Sequence, residues 1–139
     1  MSDAQYETPP DLLYSKEHEW VRIVEKSTVT VGITDYAAKS LHDIVYVSLP
    51  TVGLEVKQNS VLGSVESVKA VSDIYSPISG RVVAVNTELS THPEIINKSP
   101  YRDGWIAKLA PRHIDEELPS LMKPPEYAAY VKDLIAQKT

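Results

Sequence analysis

The sequence predicts a mainly β fold with short helices at its edges and one longer helix at the C-terminal end. Three observations predict it. Short runs rich in Val, Ile and Thr recur along the first 110 residues. Turn-forming residues separate them, as at Pro50–Gly53 and Ser76–Gly80. Helical spacing is sustained only at Tyr127, Tyr130, Val131, Leu134 and Ile135.

Taken in order, residues 1–11 read as a flexible leader ending in Thr8-Pro9-Pro10-Asp11. Residues 12–110 read as the β domain and 111–139 as a C-terminal helical segment packed on it. A strand over Tyr14 to Val24 is expected to turn around Glu25 to Ser27. Val29 to Ile33 alternates and gives the next strand. Thr34 is placed to cap a short helix through Leu41. Ile44 to Val47 is a strand, and Leu54 to Lys57 a short edge. Val61 to Glu66 and Val71 to Tyr75 form a hairpin, followed by a strand from Gly80 to Val85. Gly63 and Gly80 fit positions where backbones approach closely. Asn86 to Arg102 is loop-rich, and Trp105 to Leu109 is the last strand. Asp115 to Leu118 starts a helical turn that Pro119 breaks. Pro124-Pro125 then opens the final helix with proline in its first turn.

The chain has 139 residues and a net charge of −5, with 42% apolar and 24% charged residues. That is an ordinary single-domain balance with enough length for a core. No basic cluster points to nucleic acid or to a membrane surface, and no apolar run reaches membrane-spanning length. The N-terminus resembles neither a signal peptide nor a transit peptide, so a cytoplasmic location is expected; a mature organellar protein would read the same. There is no cysteine, hence no disulfide and no thiolate chemistry from the polypeptide. His18, His42, His92 and His113 share no metal-ligand spacing, and none of the five glycines builds a phosphate loop. No constellation supports hydrolysis by Glu19, Glu66 or Asp73, so neither a catalytic residue nor a metal site is assigned.

The functional candidate is Lys69, at the tip of the hairpin in Glu66-Ser67-Val68-Lys69-Ala70. A lysine so placed holds its amine clear of the fold, available for covalent modification.

The stretch from Glu66 through Gly80 resembles the attachment region of the glycine cleavage system H protein family, where the lysine carries lipoate in amide linkage. Tyr14 to Arg22, Val31 to Ala37, Leu49-Pro50, Val85-Asn86 and Ser99 to Trp105 resemble further blocks in the same order, so the likeness spans roughly Leu12 to Tyr130. It implies a lipoyl-type flattened barrel, or barrel-sandwich hybrid, and a carrier protein that is not itself an enzyme. Lipoate would be present as N6-lipoyllysine at Lys69. Glu66, Ser67, Val68 and Ala70 would be read by a lipoate ligase or lipoyltransferase. The arm would visit glycine decarboxylase, aminomethyltransferase and dihydrolipoyl dehydrogenase, moving an aminomethyl group and electrons in glycine decarboxylation. The loaded arm would rest in a cleft with carboxylates Glu19 and Asp73 and apolar walls Ile33 and Leu41.

Two positions depart from the family pattern. His42 stands where glycine is usual, and Arg102 where a small or acidic residue is usual. His42 keeps open an alternative: a lipoate-binding relative serving another system, such as heterodisulfide-reductase-like sulfur oxidation. A biotin carrier shares the fold, but its lysine lies between methionines, whereas Val68 and Ala70 flank Lys69. An unmodified binding module is the remaining alternative.

Overall fold

The computed structural model describes residues 6–137. The first five residues of the expected leader and the last two of the C-terminal segment lie outside them. Two antiparallel sheets form a flattened, unclosed β body. The larger has the strand order β1 (Leu12–Tyr14), β2 (Glu19–Glu25), β3 (Thr28–Ile33), β9 (Ala107–Pro111), β8 (Gly80–Val85), β5 (Glu55–Val56). The smaller consists of β4 (Ile44–Ser48), β6 (Val61–Ser67) and β7 (Val71–Tyr75), with β6 in the middle.

Inward residues of both sheets meet in one apolar cluster that includes Val21, Val31, Ile33, Val47, Val65, Ile74, Val82 and Leu109. Each sheet supplies alternate residues because side chains along a strand point to opposite faces. β2 is buried on both sides over its first three residues. Val21 joins that core, while its neighbour Trp20 enters a second, aromatic cluster with Tyr14, Tyr36, Tyr101 and Tyr127. Trp20 is fully buried and its Nε1 donates to the Pro100 carbonyl at 3.0 Å. Burying a side chain of that size contributes on the order of 4 kcal/mol.

The helix α4 (Pro124–Gln137) closes the aromatic cluster with Tyr127 and Val131 buried and Tyr130, Leu134 and Ile135 packed beside them. Its Tyr127 ring stacks on Tyr14 with centroids 4.5 Å apart, and its hydroxyl meets both His18 Nδ1 and Thr34 Oγ1 at 2.8 Å. Thr34 also caps α1 (Asp35–Leu41) by accepting from the Ala37 N–H. One buried hydroxyl thus ties the C-terminal helix to the first. Two further one-turn helices, α2 (Ile95–Lys98) and α3 (Ile114–Glu117), sit in the connections. Among the described residues no helix is long and apolar enough to cross a membrane.

Glycine permits two crossings. A Cβ on Gly63 would fall 2.4 Å from the Ser48 carbonyl oxygen, and one on Gly80 2.6 Å from that of Ala110. Either side chain would push paired strands apart.

Three expectations need correction. The strand expected over Tyr14 to Val24 is a hairpin of β1 and β2. Its turn closes through Ser15 N–H to the Glu19 carbonyl and places His18 at φ 71°, which ends one strand and begins the next. The last strand starts at Ala107 instead of Trp105. Trp105 is held in a turn by its N–H to the Arg102 carbonyl, and its own carbonyl accepts from Asn86 Nδ2, so neither group is free for the ladder. The leader, over its described part 6–11, is strapped to the body. The Glu7 N–H donates to Asp35, its carbonyl accepts from the Tyr101 hydroxyl, and Tyr14 donates to the Pro9 carbonyl. Tyr6 packs edge-on against Tyr36.

Candidate functional site

β6 and β7 pair from Val61↔Tyr75 to Glu66↔Val71, and the chain reverses through Ser67-Val68-Lys69-Ala70. Tight two-residue hairpin loops usually need positive φ, but neither Val68 nor Lys69 adopts it. Side-chain and outside bonds hold the turn instead. Ser67 Oγ accepts from the Lys69 N–H at 3.3 Å and the Ala70 N–H at 3.1 Å, and the Ser67 N–H donates to the Ala70 carbonyl at 2.8 Å. The Val68 N–H donates to the Asp43 carbonyl at the entry to β4. Lys69 is exposed, and no hydrogen bond or ion pair among the described residues engages its ammonium group. The amine therefore has both the access and the freedom that an acylating enzyme requires of its target. Glu66, Val68 and Ala70 are exposed around it, while Ser67 is half-buried with its hydroxyl committed to the turn.

The other candidates fall into two groups. Glu19 and Ile33 are directly paired across β2 and β3, and Leu41 ends the helix that follows Ile33. Asp73 lies apart on β7, exposed and opposite Ser64. What links the groups is the Glu19 carboxylate. Only 2% of Glu19 is exposed; Oε1 accepts from Ser15 Oγ and Oε2 from the Tyr75 N–H at 3.0 Å. Burial pushes its pKa up to about 7, against the pull of these two hydrogen bonds. Ile33 is buried and Leu41 half-buried. Glu19 is thus a sequestered brace beneath the hairpin strand, and Asp73 is the carboxylate open to solvent.

One residue that sequence reasoning missed, Asn97, holds the hairpin's base at His42, the position that departs from the glycine pattern. His42 adopts φ 64°, ψ −143°, a conformation glycine takes freely and other residues take under strain. Asn97 braces it: Nδ2 donates to the His42 carbonyl at 2.7 Å and Oδ1 accepts from the Ile44 N–H at 3.0 Å. The next residue, Asp43, receives Val68. A local path thus runs from Asn97 through the β4 entry to the lysine turn. Asn97 sits 28 residues beyond Lys69 in a loop-rich stretch, and no short-range pattern marks it.

A two-sheet β body that holds out one free lysine on a braced hairpin defines a carrier-type domain, one that presents an anchor on its surface. The sequence pattern described as Glycine cleavage H-protein matches residues 12–134. Among similar proteins, the probable glycine cleavage system H protein of Pyrococcus abyssi is 55% identical over 130 residues, covering 94% of this chain and 96% of its own. The glycine cleavage system H protein of Geobacillus thermodenitrificans is 50% identical over 126 residues, covering 91% and 98%. The crystal structure of a glycine cleavage system H protein from Mycobacterium marinum superposes with a TM-score of 0.82 at 37% identity, covering 89% of this chain and 98% of that one. The chain belongs to the glycine cleavage H-protein family, whose members are lipoyl carriers.

Proposed function

We infer that Lys69 carries lipoate as N6-lipoyllysine and that the protein is the cytoplasmic shuttle of the glycine cleavage system. In this reading it serves glycine decarboxylase, aminomethyltransferase and dihydrolipoyl dehydrogenase, and a lipoate ligase or lipoyltransferase loads it. The observation that carries the reading is the unengaged Lys69 amine on a turn whose backbone is fixed by Ser67 and Asp43. The residues fit the group: a free primary amine is what an amide linkage needs. The attached dithiolane would supply a two-electron disulfide–dithiol couple and a thiol that accepts a one-carbon group.

The chain's own contributions are position and reach. From the Lys69 Cα an extended lipoyl-lysine of about eleven bonds spans ~14 Å, enough to enter an active site while the β body stays outside. Tethering keeps the carried group at high local concentration beside a docked enzyme. For the resting arm, Ile33 and Leu41 supply apolar wall, Asp73 an open charge for a cationic group, and Glu19 the floor under β7. The absence of cysteine from the sequence leaves no internal thiol to trap the arm as a mixed disulfide.

The glycine-cleavage reading stands ahead of the sulfur-oxidation alternative because relatives covering over nine-tenths of the chain carry the glycine cleavage name. Reconstitution with the three enzymes tests it. Lipoylated protein should give glycine-dependent NAD reduction, and Lys69→Arg should give none. Silence from fully lipoylated protein with active partners would overturn it.

A further inference from the structure

Among the described residues eight large apolar side chains are exposed, and four of them surround the lysine turn: Val45 at 53%, Tyr46 at 52%, Val68 at 70% and Val71 at 68%. Their grouping has a structural origin. The β4–β6 register slips between Ile44 and Tyr46, and this bulge turns two consecutive residues, Val45 and Tyr46, to solvent. Tyr46, Glu66 and Val71 then stand side by side across the three strands, with Ser48, Ser64 and Asp73 in the next row on the same face. The charges of this sheet and its entry are Asp43, Glu66 and Asp73 against the single cation Lys69, all exposed. No ion pair among the described residues engages the three carboxylates.

We propose that this outer face of the β4–β6–β7 sheet, centred on Val45 and Tyr46, docks the active-site mouth of glycine decarboxylase once the arm is lipoylated, through a partner surface with apolar side chains inside a rim of Lys and Arg. The inference rests on the carrier reading of Lys69 and adds to it the surface and the partner's chemistry. Two arguments select this occupant. A tether of ~14 Å obliges the docked surface to lie around its own anchor, and Val68 and Val71 lie one residue before and two residues after Lys69. Acylation then removes the one cation from the face, leaving three carboxylates around an apolar centre, which favours a basic rim. A second copy of the chain would bring those carboxylates against their like, which disfavours self-association through this face.

Fully lipoylated Val45→Thr/Tyr46→Ser protein tests the proposal, with intact mass confirming the modification and circular dichroism the fold. Both positions are solvent-facing, and threonine keeps the strand preference. With glycine decarboxylase as the probe, KM for the carrier should rise about tenfold while kcat stays within about twofold, the pattern of a lost apolar docking contact. For the wild type, raising salt from about 20 to about 200 mM should raise KM as carboxylate–cation attraction is screened. An unchanged KM in the variant, or a wild-type KM indifferent to salt, overturns the proposal. So does a concentration-dependent dimer of the wild type that the double variant loses, since the face would then belong to a second copy. If lipoylated wild type gives no turnover, the shuttle reading itself has failed and the docking face falls with it. If turnover is normal and only KM stays put, the docking face alone is wrong.

Discussion

The backbone N–H of Tyr75 donates to the Glu19 carboxylate at 3.0 Å, so a buried acid at the start of β2 holds the hairpin strand β7 from beneath. It joins the two sheets at the base of the element that presents Lys69, and it does so with a group that titrates near neutrality.

That gives the stability a defined pH dependence. Burial raises Glu19 from the ordinary carboxylate value of 4.5 to about 7. Between those values the folded protein keeps a proton that the unfolded chain has released. The contribution is therefore full below 4.5 and is lost as pH rises toward 7, by about 3 kcal/mol at most. Urea unfolding over this range should show wild type losing stability relative to Glu19→Gln, whose amide can still accept from Tyr75 without titrating. Parallel curves for the two proteins would remove Glu19 as the source.

His42 supplies a second prediction. Its φ of 64° with ψ of −143° is strained for a residue with a side chain. His42→Gly should raise stability by about 1 kcal/mol, the relief of strain exceeding glycine's greater freedom in the unfolded chain. Thermal unfolding should show a midpoint a few degrees higher. A lower midpoint would mean that the imidazole makes up the cost through its own contacts.

Asn97→Ala should uncouple the lysine turn from the body. It removes the partners of the His42 carbonyl and the Ile44 N–H, at a cost of about 2 kcal/mol. The specific readout is amide exchange at Val68, whose N–H is held by the adjacent Asp43 carbonyl. Its exchange should accelerate more than that of Val65 in the middle of β6. Uniform acceleration at both would indicate general destabilisation and no private link.

Much of this was legible in the sequence because it is local. Thr34 caps α1 where a threonine before an apolar run should, and Tyr127 and Val131 face inward at helical spacing. Val47 and Val65 are buried, each between an exposed residue and a half-buried serine, as a one-sided strand requires. The hairpin around Lys69 was equally plain. Long-range pairing decided what was not. The β1–β2 hairpin depends on Ser15 closing onto Glu19 and on His18 taking a positive φ, neither of which a pattern of apolar residues announces. Trp105 has strand propensity, but Asn86, nineteen residues away, claims its carbonyl. Glu19 is expected as a cleft carboxylate, and no local pattern announces its burial or its bond to the Tyr75 N–H, more than fifty residues further on. A histidine where glycine is usual implies a special backbone conformation that His42 must adopt, and its dihedral angles show that it does so, at a physical cost.

The most direct test is the intact mass of the protein after co-expression with a lipoate ligase and lipoate. A rise of one lipoyl group, mapped to Lys69 and absent from Lys69→Arg, is the predicted result. An unmodified Lys69, or a lipoyl group on another lysine, would contradict the account.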